Sequence, residues 1–154
     1  KIETLLRLIA EIKNHARVFI STENKIPKIL KKYQLSINPT EIHDVLSFAE
    51  LFIGEGATMA SECAIMGTPS IYINSLSAGT LEDQEQKGIL YIYKSSRGLI
   101  EKTREILTNP KAKEETKQKS KDLFKNKIDI NIFFYWLISE YPKSILHYKN
   151  NSTI

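Results

Sequence analysis

Leu51-Phe-Ile-Gly54-Glu-Gly56-Ala-Thr58-Met-Ala-Ser61-Glu62-Cys-Ala-Ile-Met-Gly67-Thr-Pro69-Ser-Ile-Tyr-Ile-Asn74 is the stretch that decides the fold. Leu51 to Ile53 is a short apolar run of β-prone residues, the pattern of a strand covered on both faces. Gly54 and Gly56 interrupt it, as a turn needing close backbone approach requires. Thr58 to Met66 are good helix formers, and Met59, Cys63 and Met66 fall on one helical face. Gly67 suits the left-handed residue after a helix end, and Pro69 cannot extend a helix. Ser70 to Ile73 reads as a second buried strand. The whole predicts one βαβ unit with a right-handed connection.

That geometry carries a chemistry. A turn that opens into a helix leaves the first backbone N–H groups without intrahelical partners, at the positive end of the helix dipole. Such a helix start is an anion site, and phosphate suits it. Gly56 and Ala57 keep bulk away from the backbone, Thr58 and Ser61 offer hydroxyls, and Glu62 lies about one turn on, where a carboxylate can accept from a ribose diol. The spacing is neither GxGxxG nor GxxxxGK[ST]. A well-packed crossover with a glycine turn and no ligand fits the same residues.

Composition bounds the alternatives. The 154 residues suffice for one domain with a real core, and 42% hydrophobic with 26% charged residues is the balance of a water-soluble globular chain. The net charge of +4 comes from 22 basic and 18 acidic residues, with much of the excess in Lys111 to Lys127. That is too mild, and too poor in interleaved aromatics, for nucleic-acid binding to be expected. Cys63 is the only cysteine, so no intramolecular disulfide forms, and a cytoplasmic location is expected. No His, Cys or carboxylate cluster has ligand spacing, so no metal and no cofactor are expected. No apolar run of about 18 residues is present.

Upstream, Ile2, Leu5, Leu6, Leu8, Ile9, Ile12 and Ala16 recur at helical spacing without a preceding cap. The expectation is a fragment of a longer protein. Ala16 to Ser21 and Leu35 to Ile37 are predicted strands. Between them Pro27 opens a predicted helix with Ile26, Ile29, Leu30 and Tyr33 inward and lysines outward. Asn38-Pro39-Thr40 caps a helix over 41–49 that carries His43, expected to be a packed or capping residue. Downstream, Ser75 to Gly88 is predicted to be a polar loop at the carboxyl end of a parallel strand, where open α/β sheets bind ligands. Ile89 to Tyr93 is a strand, Ser95-Ser-Arg97 caps a helix to about Leu107, and Lys111 to Lys127 is a solvated helix with Leu123 and Phe124 inward.

Asp129-Ile-Asn-Ile-Phe-Phe-Tyr-Trp136-Leu-Ile-Ser-Glu-Tyr141-Pro142 predicts a helix capped by Asp129, ended by Pro142 and apolar nearly all round. It is too short to span a bilayer. Core of this domain, contact with an absent domain, and peripheral membrane association compete for it. Packing partly here and partly on the absent half is the favoured reading.

Strand–Gly-Glu-Gly-Ala-Thr-Met-Ala-Ser-Glu–helix–Met-Gly-Thr-Pro–strand, preceded by His43-Asp-Val-Leu-Ser-Phe-Ala49-Glu, resembles the carboxyl-terminal half of GT-B-type glycosyltransferases. It is similar also to UDP-N-acetylglucosamine 2-epimerases, and most of all to the DUF354 family, over nearly the whole chain, including Lys127-Ile-Asp-Ile and Tyr141-Pro-Lys-Ser. The resemblance implies that Gly56, Ala57, Thr58 and Met59 line a diphosphate and that Glu62 holds the ribose; Gly54 and Ser61 complete the expected binding set. Asp83-Gln84 looks like a short pair that contacts the donor sugar in plant-type transferases. Glu55 departs from the pattern by placing negative charge beside the phosphates; no basic residue lies within the turn, and Lys87 and Arg97, from neighbouring loops, are the candidates to offset it.

The expectation is a Rossmann-like α/β three-layer domain over 1–127, a parallel sheet flanked by helices of the GT-B carboxyl-terminal type. Residues 128–154 add an apolar helix and tail. The expected function is nucleotide-sugar binding, with a UDP-sugar as ligand, the absent amino-terminal domain as partner, and no turnover by this half alone. Catalytic residues are not assigned. A UDP-sugar 2-epimerase half is the second enzyme reading. A non-catalytic assembly module, a homodimer through Phe133, Phe134 and Trp136, is the third.

Overall fold

The computed structural model describes residues 2–76, 79–125 and 127–151. Ser77 and Ala78 of the expected loop and Asn126 of the expected basic helix lie outside them. The chain divides into two compact units, Lys1–Asp122 and Leu123–Ile154.

The centre of the first unit is a three-stranded parallel sheet, β1 (Phe52–Gly54), β2 (Ser70–Ile73) and β3 (Leu90–Tyr93), in spatial order β1-β2-β3. Its register sets Ile53 beside Ile71 and Ile71 beside Tyr91. Side chains alternate across a strand, so these three share one face. That face is covered by α1 (Ile2–Ile12) and α5 (Leu99–Thr108): Leu8, Ile71, Leu99 and Ile106 form a buried cluster, with Ile12, Ile53, Ile73 and Tyr91 against it. Arg104 on α5 locks the two helices together, its Nε–H and Nη2–H donating to the Glu11 carboxylate at 2.6 and 2.9 Å.

The other face carries α3 (Ala57–Met66), which links β1 to β2, and α4 (Gly79–Gln86), which links β2 to β3. Ala60, Cys63 and Ala64 are fully buried, and the Cys63 thiol meets the Ser70 hydroxyl on that side of β2. Small residues here bring the helix axis close to the sheet. The result is an α/β fold with a parallel sheet flanked by helices.

The central βαβ unit matches its expected boundaries within a residue or two. Gly67 ends α3 at φ +88°, and its missing Cβ makes room for α6 (Ala112–Phe124), since an added carbon would lie 2.9 Å from the Lys117 Cα. A capping box holds the turn before α2 (Ile42–Phe48): the Thr40 N–H donates to the Asn38 side chain, and the Asn38 N–H donates to Glu41.

Several expectations fail. Ala16 to Ser21 and Leu35 to Ile37 are not strands; Ile20 and Gln34 meet in one isolated parallel bridge. Phe19 is 56% exposed, so the β-prone run has no sheet neighbour to bury it. The predicted helix after Pro27 is a 3₁₀ segment, Lys28–Tyr33, that buries Leu30 and leaves Ile29 exposed. Gly98 at φ +78°, rather than Ser95, precedes α5. On α6 the buried residues are Thr116 and Ser120, while Leu123 is half-buried and Phe124 exposed, and Ser120 Oγ–H donates to the Ile65 carbonyl. The largest departure is α4, a helix where a polar loop was expected. A crossover between neighbouring parallel strands has to travel the length of the sheet, and a helix satisfies its backbone on the way. It needs only Leu81 and Gln84, three apart, on its inner side.

In the second unit, α7 (Ile130–Ser139) starts at Asp129, whose carboxylate accepts from the N–H groups of Asn131 and Ile132. It packs on α8 (Lys143–Asn151) through Phe133 against Tyr148, Trp136 against His147, and Ser144 Oγ–H donating to the Leu137 carbonyl.

Candidate functional site

The turn between β1 and α3 opens to solvent. Gly54 closes β1 with the Phe52 ring lying across it; a Cβ there would stand 2.5 Å from the ring. The chain then leaves the sheet at Glu55, whose carbonyl accepts from Asn74 Nδ2–H at 3.2 Å. Asn74 lies just past the end of β2, and its own N–H donates to the Tyr93 carbonyl at 3.0 Å. The turn is therefore tied to the carboxyl ends of all three strands.

Gly56 is the residue before α3, at φ −86° and ψ 115°, and no side chain caps it. The first bond of the helical ladder runs from the Ala60 N–H to the Gly56 carbonyl at 3.1 Å. The N–H groups of Ala57, Thr58 and Met59 thus precede the ladder. Gly56 and Thr58 are exposed, with Ala57 and Met59 half-buried. The first turn of α3 holds no acidic or basic side chain. Among the described residues no side chain caps this helix start, where three N–H groups and the positive end of the helix dipole come together.

Thr58 and Glu62 are four apart and lie on the same outer side of α3. Glu62 accepts a 2.9 Å hydrogen bond from His43 Nε2 on α2, with the two side chains 40% and 56% exposed. A carboxylate can only accept, so Nε2 carries the proton whether or not the ring is charged. The bond fixes one Glu62 oxygen and leaves lone pairs for a second donor. His43 is thus neither a packed nor a capping residue, contrary to expectation, but the partner of Glu62. Its position is set from below: Thr68, fully buried after α3, donates its hydroxyl to the Leu46 carbonyl of α2 at 2.8 Å. That bond fixes α2 beside α3. The 19-residue separation of His43 and Glu62 hides the pairing from any local pattern.

The remaining predicted residues fall elsewhere. Ser61 sits on the flank of α3 that meets α4, where its Oγ accepts from Gln84 Nε2 at 2.7 Å. Gln84 is 5% exposed, and its Oε1 is buried without a partner among the described residues. Asp83 is exposed on the outer side of α4. Asp83-Gln84 therefore lies on a helix rather than in a loop, and consecutive helical residues point about 100° apart, so the pair cannot face one ligand together. The structure divides the predicted set in two: a turn with Thr58, Glu62 and His43 at the surface, and a Ser61–Gln84 contact inside.

Cys63, next to Glu62 in sequence, is fully buried. Burial, reinforced by the Glu62 charge, pushes its thiol up to about 12. It takes no part in the surface site. Among the described residues no three His, Cys, Asp or Glu side chains gather as a metal would require, and no helix is long and apolar enough to cross a membrane. Comparison with protein-family models, curated proteins and solved structures returns no match.

Proposed function

We propose that the chain is the nucleotide-sugar-binding half of a GT-B-like glycosyltransferase. One observation carries the reading: an uncapped, solvent-open helix start at Gly56–Met59 with Glu62 on the same helix face, held at the surface by His43. A diphosphate on the N–H groups of Ala57, Thr58 and Met59 meets the positive end of the α3 dipole. Glu62 then accepts from a ribose diol, its rotamer selected beforehand by His43, which lowers the ordering cost of binding. In the intact enzyme the same N–H groups stabilise charge that develops on the diphosphate as the glycosidic bond breaks. The Glu55 side chain is exposed, and its carbonyl is drawn to Asn74. Of the sugar-contacting pair, only Asp83 has an accessible side chain.

The test is calorimetric titration of UDP and UDP-sugars into the full chain, beside Glu62→Ala. Loss of the diol contact with a half-exposed carboxylate, about 1.5–3 kcal/mol, weakens affinity by roughly 10- to 100-fold. Inorganic pyrophosphate, which lacks the ribose, should bind both proteins alike. Absence of heat with the wild type, or identical UDP isotherms for both proteins, rejects the reading.

A further inference from the structure

A row of large apolar side chains on α7 is exposed, though one of them, Phe134, also lies 5.9 Å from the Phe133 ring. Ile130, Phe134 and Ile138 recur every four residues and share one side of the helix. They are 50%, 51% and 74% exposed. Tyr135 beside them and Tyr141 just beyond are exposed as well. Neighbouring residues of the helix are engaged with α8: the Phe133 ring lies 5.7 Å from Tyr148, Trp136 lies 5.9 Å from His147, and Ser144 Oγ–H bonds the Leu137 carbonyl, while Ile132 is 68% exposed. Single exposed apolar residues need no explanation, but a continuous row of them does.

Charge identifies what covers it. Lys127 just before α7 and Lys143 just after it are both exposed. Residues 123–154 hold four lysines against Asp129 and Glu140, and Asp129 is turned onto the helix N–H groups. Two copies meeting about a twofold axis would set this positive unit against itself. An anionic surface complements it. Tyr, Trp and Lys combine apolar bodies with polar tips, the residue types that settle at a bilayer interface. A ten-residue helix is about 15 Å long, half the hydrocarbon thickness, so it lies in the interface rather than across it.

We propose that the Ile130–Phe134–Ile138 face of α7 docks in the interfacial plane of an anionic phospholipid bilayer, with Lys127 and Lys143 at its headgroups. The inference is independent of nucleotide binding. It is tested by co-sedimenting the full chain with phosphatidylcholine vesicles made with and without phosphatidylglycerol. Two double variants accompany it, Phe134→Asp/Ile138→Asp and Lys127→Gln/Lys143→Gln. All four positions are exposed, so unchanged far-ultraviolet circular dichroism is expected in both. The wild type should pellet only with the anionic vesicles, and less at high salt. The aspartate pair should abolish pelleting, and each lost lysine should weaken it about fivefold. Three results overturn the proposal: a wild type left in the supernatant of anionic vesicles, pelleting that survives the aspartates, or a dimer that the aspartates dissolve while vesicles bind nothing.

Discussion

Alanine at three glycines should give three different outcomes, each read from the backbone. At Gly67 the residue holds φ +88°, and the new Cβ would lie 2.8 Å from the Lys117 Cβ and 2.9 Å from its Cα. The left-handed conformation costs a residue with a Cβ about 1–2 kcal/mol. Those atoms belong to the body of α6 and cannot swing aside, which adds roughly 1–3 kcal/mol of overpacking. Reduced freedom of the unfolded chain returns about 0.4–1 kcal/mol. The net loss for Gly67→Ala is about 2–4 kcal/mol. At Gly88 the angle is also left-handed, φ +70°, but the nearest atom is the Lys119 Nζ at 3.2 Å, the far end of a long side chain that bonds the Gly88 carbonyl. Only the backbone penalty of about 1 kcal/mol remains there. At Gly56 the nearest atom is the Met59 Cβ at 3.9 Å and φ is an ordinary −86°, so the change is close to neutral.

For a chain of this size 1 kcal/mol moves the melting temperature by about 2–4 °C. Thermal unfolding followed by circular dichroism should therefore place Gly67→Ala roughly 5–15 °C below wild type and Gly88→Ala about 2–4 °C below. Gly56→Ala should melt within about 2 °C of wild type. The difference between the first two isolates the contact of α6 with the end of α3. A Gly67→Ala protein that melts with wild type would refute the close approach, and equal losses at Gly67 and Gly56 would refute the conformational argument. Gly56→Ala has a second use: its folding is intact, so UDP binding weakened by the added methyl reports on the turn alone.

Two further outcomes concern the interior. Ser61→Ala leaves both ends of the buried Gln84 amide without a partner among the described residues, at a cost of about 1–3 kcal/mol in urea unfolding. Adding Gln84→Met should recover most of that loss, whereas simple additivity of the two changes would show that the hydrogen bond is not made. Cys63 should resist a thiol reagent at mildly alkaline pH in the native protein and react at once in denaturant, because burial holds its pKa at about 12 against 9.0 for a free thiol. A raised folded-state pKa means the native state keeps its proton longer. The resulting stability is complete below the unfolded value and declines as pH rises from about 9 toward 12. Fast native labelling would contradict the burial.

The parts of the fold legible in sequence are those where burial on both sides forces a continuous apolar run or where backbone angles demand glycine. β2 is Ser-Ile-Tyr-Ile because α3 covers one of its faces and the α1–α5 pair the other, and Gly67 stands where only glycine fits. Legibility ends where an element buries one thin edge. α4 reads Gly-Thr-Leu-Glu-Asp-Gln-Glu-Gln, and one of its two inward residues, Gln84, is polar. No hydrophobic period survives that. The reverse failure occurs at Val18-Phe19-Ile20, which has strand composition without a second strand to pair with. β-propensity expresses fit to a half-buried pleated surface, and where no such surface exists it predicts nothing.

The candidate site shows the same division. Its turn was legible because backbone exposure at a helix start follows from chain direction and glycine placement alone. Its sorting of side chains was not, because that depends on which flank of α3 meets α4 and which meets α2. Ser61 and Glu62 are adjacent in sequence, yet a 100° step sends one hydroxyl inward to Gln84 and the next carboxylate outward to His43. What holds Glu62 in that place is remote from any ligand: a buried threonine hydroxyl, Thr68, bonded to the Leu46 carbonyl of α2. The orientation of the one side chain on which the proposed ribose recognition turns is thus inherited from the core beneath it.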